Sequence, residues 1–168
     1  PIILDEVVEI PKIVLDICNK VVSYPNMLPI RMVNNDIARS DVNKDSGKNK
    51  IYFSGDKLSY TNKSVEDNYL KLVMPFSASY HKMFITTEAT GMLNLNMSLA
   101  TEAEGQHIIE YASSPLFKLV ASTYKKTSGF TPFVKQCLVP DLRNVKTDNL
   151  YDVFGLTDKE REYMDNIA

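Results

Sequence analysis

The sequence predicts an α+β fold with a mixed, mainly antiparallel sheet, a helix pair packed on it and a C-terminal helix. Residues 92–99 alternate apolar and polar side chains with a period of two, which is typical of a strand. Thr101-Glu-Ala-Glu104 and Thr157-Asp-Lys-Glu160 both have the form of a capping box, so a helix is expected to begin at each. Predicted strands followed by predicted helices favour the α+β class.

The N-terminal part is expected to form a helix, a short strand and a polar loop. Apolar residues recur at helical spacing after Pro11, which suits a first helical turn, and residues 24–26 end the pattern. Residues 28–33 are β-like. Residues 34–50 are polar, with no periodicity that would bury one face, and we interpret them as a loop that is either functional or disordered.

The middle of the chain is predicted to be rich in strands. Residues 50–53 and 57–60 flank a short polar turn, and this pattern predicts a β-hairpin with Gly55 in the turn. Residues 69–74 and 83–87 predict a second strand pair. The alternating strand at 92–99 then leads into the first capped helix.

The last third of the chain is predicted to be mainly helical. Pro115 suits the first turn of a second helix, whose apolar residues again recur at helical spacing. Lys125 and Lys126, followed by Gly129, are typical of a helix C-terminus. Residues 133–149 are expected to be extended and then irregular, before the terminal helix begins at the second capping box.

Length and composition fit one globular domain. The chain has 168 residues, of which 44% are hydrophobic and 24% charged, so it can bury a core. We interpret it as a single domain over 1–168, with an N-terminal helix in 1–25, a strand-rich part with the long polar loop in 26–100, and the helix pair and C-terminal helix in 101–168. The net charge of −2 excludes a wholly basic nucleic-acid binder, so any nucleic-acid surface must be a local patch.

Cysteine usage and hydropathy favour a reducing compartment. Cys18 and Cys137 are far apart, each among apolar neighbours, and both are expected to be buried free thiols. No apolar run approaches the roughly 18 residues that a membrane span needs, and no signal peptide is visible. We therefore expect a cytoplasmic protein with no membrane partner. The start at Pro1, without a methionine, is expected of a trimmed tag or of a fragment of a larger protein.

The residue types that catalysis usually requires form no recognisable constellation. His81 and His107 are the only histidines, and no Cys/His pattern could hold a transition metal. The six glycines are scattered singly, so no Gly-rich phosphate loop exists. We expect His107 to be a packed or surface histidine within its helix, whereas the His81 imidazole could hydrogen-bond a base edge or a phosphate. The sequence thus identifies no catalytic residue and no metal ligand, which favours a binding module over an enzyme.

One stretch of the chain is electrostatically lopsided. No acidic residue lies between Glu110 and Asp141, whereas lysines and aromatic residues are interleaved there. The lysines are Lys118, Lys125, Lys126 and Lys135, and the aromatic residues include Tyr124, Phe130 and Phe133. Such a segment can present ammonium groups and hydroxyls to a polyanion, or it can be a solvated helix end with a favourable dipole interaction. The residues alone leave both interpretations open.

The order of several segments resembles the C-terminal part of adenine-specific DNA methyltransferases of restriction–modification systems. These include the type II enzymes in which methylase and nuclease share one polypeptide. The segments are Lys71-Leu-Val-Met-Pro-Phe76, Ser114-Pro-Leu-Phe-Lys-Leu-Val120, Lys125-Lys-Thr-Ser-Gly-Phe130 and Asn149-Leu-Tyr-Asp-Val-Phe-Gly-Leu-Thr-Asp-Lys-Glu160. The resemblance extends over residues 50–167 and rests on motif order rather than on one short signature.

The resemblance implies a target recognition domain, which reads the DNA sequence while a separate domain methylates adenine. The Asn-Pro-Pro-Tyr-type motif and the Gly-rich loop of that catalytic domain are both missing from this sequence. Methylation and cleavage are therefore not assigned to this chain, which we expect to be a fragment of a larger enzyme. No cofactor is expected in it, and the resemblance implies S-adenosylmethionine and Mg²⁺ for the absent catalytic domains.

The resulting hypothesis is a domain that reads double-stranded DNA beside a catalytic methyltransferase domain of the parent protein. The residues expected to hold phosphates are Lys57, Lys82, Lys125, Lys126 and Lys135. Those expected to contact bases are Arg31, Asn34, Asn35, Tyr60, Ser79, Tyr80, His81 and Ser128. The hypothesis requires the connections at 31–50, 77–82 and 125–131 to converge on one basic cleft.

Two alternatives remain open at the level of sequence. The first is a protein-interaction module, in which the helix pair or the acidic C-terminal helix docks on a partner chain. The second is a small nuclease that uses scattered carboxylates with Mg²⁺. DNA binding without cleavage would distinguish the hypothesis from both.

Overall fold

A computed structural model describes residues 9–32, 36–75, 82–91, 94–125 and 139–167. The helices are α1 (Lys12–Val22), α2 (Glu102–Ala112), α3 (Pro115–Lys125), α4 (Leu150–Phe154) and α5 (Asp158–Ile167). The strands are β1 (Arg31–Met32), β2 (Val42–Asn43), β3 (Asn49–Tyr52), β4 (Ser59–Thr61), β5 (Lys71–Pro75), β6 (Phe84–Thr86), β7 (Ala89–Thr90) and β8 (Asn94–Ser98). The predicted α+β class is confirmed.

Local signals in the sequence place the helix starts where the structure has them. The Thr101 hydroxyl accepts a hydrogen bond from the Glu104 amide at 3.2 Å and opens α2. The Glu104 carboxylate lies 3.3 Å from the Arg143 guanidinium, which ties this helix to the segment after α3. At α5 both halves of the capping box form, since the Thr157 amide donates to Glu160 at 2.8 Å and the Glu160 amide donates to Thr157 at 3.2 Å.

The short helix α4 also has recognisable ends. The Asn149 side chain accepts a hydrogen bond from the Asp152 amide at 3.4 Å and caps the first turn. Gly155 follows the last turn with φ 65°, a left-handed conformation that glycine adopts without a Cβ clash. This turn directs the chain into α5, so the C-terminal pair of helices is built from adjacent local signals.

The larger sheet has the strand order β1-β8-β5-β6, with every pairing antiparallel. Because side chains alternate between the faces of a strand, one face presents Leu72, Met74, Leu95 and Met97 to the helices. These four residues belong to the main core, together with apolar residues of α1, α2 and α3. Gly105 lets α2 approach β6 closely, since a Cβ there would lie 2.6 Å from the Ile85 Cδ1 atom.

The smaller sheet has the strand order β2-β4-β3-β7, in which β3 and β7 are parallel. Its predicted hairpin is confirmed, because β3 pairs with β4 in antiparallel fashion and Gly55 in the connection has φ 60°. A second, smaller apolar cluster lies on this sheet and consists of the buried residues Ile37, Ile51, Phe53 and Ala89. The fold therefore has two sheets with separate apolar cores.

The segment after α3 returns to the main core through Tyr111. The buried hydroxyl of Tyr111, on α2, donates a hydrogen bond to the Pro140 carbonyl at 2.7 Å and accepts one from the Leu142 amide at 3.3 Å. His107, one turn earlier on α2, places Nε2 3.0 Å from the Leu142 carbonyl oxygen. His107, expected to be a packed or surface histidine, is thus partly buried against the segment after α3. Cys18 is buried and free, as expected, whereas Cys137 lies outside the described residues.

The interpretation of residues 34–50 as a loop is only partly right. Residues 36–50 include a 3₁₀ turn at Arg39–Asp41, strand β2 and the beginning of β3. These elements were missed because a two-residue strand has no periodicity of its own and is held by its pairing with β4. Among the described helices, none combines the length and the apolar character that a membrane crossing requires.

Candidate nucleic-acid interface

A cleft on the smaller sheet gathers positive charge. It has a volume of about 450 Å³ and lies between the 3₁₀ turn, β2 and the β3–β4 hairpin. Its lining, which we call the cationic cleft, consists of Arg39, Val42, Lys44, Phe53, Ser54, Lys57, Leu58 and Ser59. The lining contains three cations, two hydroxyl groups and no carboxylate. This composition suits a ligand with several negative charges.

The 3₁₀ turn that carries Arg39 also contains a carboxylate, that of Asp41. The Asp41 carboxylate, on the same turn, accepts a hydrogen bond from the Ala38 amide at 2.8 Å. It also forms an ion pair with Lys63 at 3.1 Å. The Ala38 amide, helped by Lys63, lowers the pKa of Asp41 below its usual value of 3.8. The nearest carboxylate on this turn is thus engaged by other partners.

The guanidinium of Arg39 rests on an aromatic ring. Its Cζ atom lies 5.4 Å from the centroid of Phe53, which is only 5% exposed and belongs to the smaller apolar cluster. A guanidinium over a ring face is attracted by the ring quadrupole. This contact holds the plane of an otherwise exposed side chain against a rigid part of the core.

The lysines of the cationic cleft are exposed and uncompensated. Lys44 and Lys57 come from two different segments of the lining, one after β2 and the other in the β3–β4 connection. Neither lysine, nor Arg39, forms an ion pair within the described part of the chain. Their charges therefore add to one another in the cleft, which raises the local concentration of anions.

A larger groove between α1 and the start of α5 differs from the cationic cleft in how far its charges are paired. It has a volume of about 780 Å³, and its charges are mostly paired. Lys12 lies 2.9 Å from Asp16, and Lys20 lies 2.5 Å from Glu160. Because each of these cations faces a carboxylate, the groove offers much less net charge than the smaller cationic cleft.

Of the residues that the sequence suggested for DNA contact, Lys57 lies in the cationic cleft. Tyr60 follows the lining residue Ser59 on β4, so its side chain points to the opposite face of the smaller sheet. Arg31 is exposed on β1, at an edge of the larger sheet, where it is paired with Asn96. Lys82 is exposed just before β6, and Lys125 is the last residue of α3. The described residues thus do not bring these five into one site.

The remaining suggested contacts lie outside the described residues. They are Asn34, Asn35, Ser79, Tyr80, His81, Lys126, Ser128 and Lys135. Of the connections expected to converge, the one at 31–50 contributes Arg39 and Lys44 to the cleft that also contains Lys57. The convergence with the connections at 77–82 and 125–131 stays a prediction.

Sequence reasoning missed the central members of this site. Arg39 and Lys44 stood among the basic residues of the polar segment but were not selected as contacts. The aromatic support, Phe53, was interpreted only as part of a strand. A usable signal was present, since a cation in a polar segment near an aromatic hairpin strand can form a cation–π contact. The register that brings position 39 to position 53 is a tertiary feature.

A second polar cluster lies between the two sheets, and we call it the polar junction. It consists of Asp67, Tyr69, Lys71, Thr90, Asn94 and Asn96. The Lys71 side chain is 0% exposed. Its ammonium donates to the Asp67 carbonyl and, at 2.6 Å, to the Glu88 carbonyl. The Asp67 carboxylate lies 3.5 Å from the same ammonium.

Hydrogen bonds continue from this ion pair across the junction. The Asp67 carboxylate accepts bonds from the Thr90 amide and hydroxyl, both at 3.0 Å. The Asn96 amide donates to the Thr90 hydroxyl at 2.7 Å. The Asn94 amide donates to the carbonyls of Tyr52 and Gly55 at 2.9 and 3.0 Å. The polar face of β8 is therefore buried against the smaller sheet.

The polar junction is enclosed, so its role is structural. Burial lowers the pKa of Lys71 from its usual 10.5, and the neighbouring Asp67 carboxylate opposes this shift. Within the described residues, no buried side-chain nitrogen or oxygen lacks a hydrogen-bond partner. A satisfied and inaccessible cluster of this kind fixes the arrangement of the two sheets.

The described part of the chain offers no evident metal site. No group of three or more His, Cys, Asp or Glu side chains lies close enough there to hold a metal ion.

Comparison of the chain with protein-family models, with curated proteins and with solved structures gave no match.

Proposed function

We propose that this chain binds double-stranded DNA as the sequence-recognition domain of a restriction–modification enzyme, with no catalytic role of its own. The observation that carries the proposal is the cationic cleft, in which Arg39, Lys44 and Lys57 face one open space without a carboxylate in its lining. The resemblance in motif order to the C-terminal part of adenine-specific DNA methyltransferases supports the same assignment.

The cleft suits the DNA backbone for electrostatic reasons. A duplex carries one phosphate charge per about 1.7 Å of its axis, and cations that neutralise phosphates release condensed counterions. Exposed ammonium groups can form ion pairs with these phosphates without a fixed geometry. Hydroxyls such as those of Ser54 and Ser59 can donate hydrogen bonds to phosphate oxygens. Because the chain as a whole carries a net charge of −2, binding to DNA would depend on the local positive charge of the cationic cleft.

The proposal includes partners that are not in this chain. A catalytic methyltransferase domain of the parent protein would use S-adenosylmethionine, and a cleaving domain would use Mg²⁺. The recognition domain would lie beside them on the same duplex in the cytoplasm. Base contacts would come from the suggested residues that lie outside the described part of the chain, such as Asn34, Asn35 and His81.

Charge reversal in the cleft tests the proposal. Lys44→Glu combined with Lys57→Glu should weaken binding to every duplex sequence, because two phosphate contacts are lost. The slope of log affinity against log salt should fall by about 2, at roughly 0.9 per phosphate contact. Fluorescence anisotropy with a labelled random duplex, between about 50 and about 200 mM salt, measures both quantities.

A second double variant, at two lysines outside the cleft, controls for the change in net charge. Lys146 and Lys159 are exposed lysines outside the cleft, so Lys146→Glu with Lys159→Glu changes the charge equally. This control should keep most of the affinity and the salt slope. If both double variants lose affinity equally, the cleft is not the binding surface. If the wild-type chain binds no duplex at low salt, DNA recognition is wrong and the protein-interaction alternative replaces it.

A further inference from the structure

We infer that Arg39, supported by Phe53, grips one phosphodiester in a fixed geometry and so sets the register of the domain on the duplex. This inference rests on the proposed function, because it names the role of one residue in the same cleft. Lys44 and Lys57 supply the general attraction to the backbone. Arg39 is therefore a positioning residue, which determines which base pairs the rest of the domain meets.

The first argument is rigidity. A free arginine loses considerable side-chain entropy when a ligand fixes it. The Arg39 guanidinium already lies 5.4 Å from the centroid of a ring that is 5% exposed and packed in the smaller core. Part of the ordering is thus complete before a ligand arrives, which leaves more of the contact energy for binding.

The second argument is the chemistry of the group. A guanidinium presents its N–H donors in a planar fork that matches two oxygens of a phosphate. The Asp41 carboxylate, which could have occupied that fork, is engaged by the Ala38 amide and by Lys63. Lys44 and Lys57 instead end in ammonium groups on flexible stems, which act as point charges.

The third argument is shape. The site is concave, with Phe53 and Leu58 among its apolar lining residues and the cations around them. A sugar–phosphate backbone is the convex ridge of a duplex, whereas base edges lie at the bottom of its grooves. A cleft of about 450 Å³ can receive the ridge, and a side chain within it meets a phosphate before it meets a base.

The test combines a chemical substitution in the DNA backbone with an amino-acid substitution in the protein. The preferred duplex of the wild-type chain is first selected from a randomised library. Single methylphosphonates, each of which removes one phosphate charge, are then placed in turn along both strands of that duplex. One position should weaken wild-type binding by about tenfold, the size expected for a charge-assisted hydrogen bond.

Arg39→Ala should make that single position insensitive to the methylphosphonate while other sensitive positions stay sensitive. Lys57→Ala, an exposed cation removed from the same cleft, should leave the sensitivity of that position unchanged. Arg39→Lys keeps the positive charge but loses the planar fork of guanidinium donors. It should therefore still reduce the loss of affinity that the methylphosphonate causes at that position. A melting curve for each variant separates a loss of binding from a loss of folding.

The outcomes separate this inference from the proposed function. If the wild-type chain binds duplex but the full tenfold effect persists in Arg39→Ala, the inference is overturned and DNA binding stands. Equal methylphosphonate effects at all positions likewise overturn the inference alone. Binding without a preferred sequence overturns the inference together with the sequence-recognition part of the proposed function. If the wild-type chain binds no duplex, the proposed function fails and the inference fails with it.

Discussion

Glu160 carries its charge at a site where only 5% of the residue is exposed. Burial alone would raise the pKa of its carboxyl. The Lys20 ammonium at 2.5 Å and the Thr157 amide at 2.8 Å outweigh that effect, so the pKa is lowered from the usual 4.5. One carboxylate thus closes the capping box of α5 and connects that helix to α1.

This arrangement predicts an acid-dependent loss of stability. A lowered pKa stabilises the folded state above the usual value of 4.5, and the contribution disappears as the pH falls through the lowered pKa. Glu160→Gln keeps the acceptor for the Thr157 amide but removes the ion pair. It should cost about 1 kcal/mol at neutral pH. Urea unfolding of both proteins between about pH 7 and about pH 2 measures the difference.

Asp158→Asn provides the control for this prediction. Asp158 lies in the same first turn of α5 but is exposed, so its charge acts only through the helix dipole. The cost of Asp158→Asn should be smaller, with a weaker dependence on pH. A cost of Glu160→Gln that stays constant from neutral to acid pH would contradict the role of the ion pair.

At the scale of elements, the sequence predicted features whose causes are local. The starts of α2 and α5 were found because a threonine hydroxyl accepts a hydrogen bond from the backbone amide three residues later, within one helical turn. At α5 the Glu160 carboxylate also accepts from the Thr157 amide. Strand β8 was found because its apolar side chains alternate with a period of two. Gly55 marked the turn of the β3–β4 hairpin for an equally local reason, its positive φ.

Other features depend on pairings between distant residues, and the sequence could not predict them. The alternation in β8 does not reveal that Asn94 and Asn96 are 0% exposed, because their cover is a second sheet. The Arg39–Phe53 contact requires the register of β2, β4 and β3. Arg31, which the sequence presents as a basic residue much like Arg39, lies instead on the other sheet.

Close packing of β7 against β3 within the smaller sheet predicts a position that tolerates no side chain. Gly91 follows β7, and its amide donates to the Tyr52 carbonyl at 2.8 Å. A Cβ there would lie 2.7 Å from the Phe53 Cα and 2.8 Å from the Phe53 carbonyl oxygen. Because backbone atoms cannot move aside as a flexible side chain can, Gly91→Ala should cost about 2 to 3 kcal/mol in urea unfolding.

Gly155→Ala is the comparison for Gly91→Ala. Gly155 has φ 65°, but a Cβ atom at this position would have no neighbour within 4 Å, so alanine there meets only backbone strain. Its cost should be about 1 kcal/mol. Close approach of residue 91 to the end of β3 would be refuted by a cost of Gly91→Ala no greater than that of Gly155→Ala.

At the scale of the whole molecule, two apolar cores of unequal size are joined by the polar junction. The main core is built by the larger sheet with α1, α2, α3 and the C-terminal helices. Within the described ranges, the buried members of the smaller core are Ile37, Ile51, Phe53 and Ala89, with Val42 and Val65 packed against them. Since local stability follows the buried apolar contacts of a region, the smaller sheet should open more readily than the larger one. That sheet also carries the cationic cleft.

Hydrogen exchange followed by mass spectrometry tests whether the smaller sheet opens more readily than the larger one. Peptides from β3 and β4 should exchange faster than peptides from β5 and β8 in the wild-type chain. Lys71→Met leaves Asp67 buried without its counter-charge, which costs about 3 to 5 kcal/mol when a buried pair is broken. Part of this cost should appear as faster exchange in β3 and β4. Lys12→Met, which breaks the exposed pair with Asp16, should change exchange little.

If the chain binds DNA through the cleft as proposed, duplex should reduce the difference in exchange between the sheets. A ligand that binds only the closed form stabilises it by about 2.7 kcal/mol at a concentration of 100 times Kd, which corresponds to roughly 100-fold slower exchange by local opening. Duplex at that ratio should therefore protect β3 and β4 more than β5 and β8. Equal exchange of both sheets, with and without duplex, would mean that the molecule opens as one unit and would contradict this prediction.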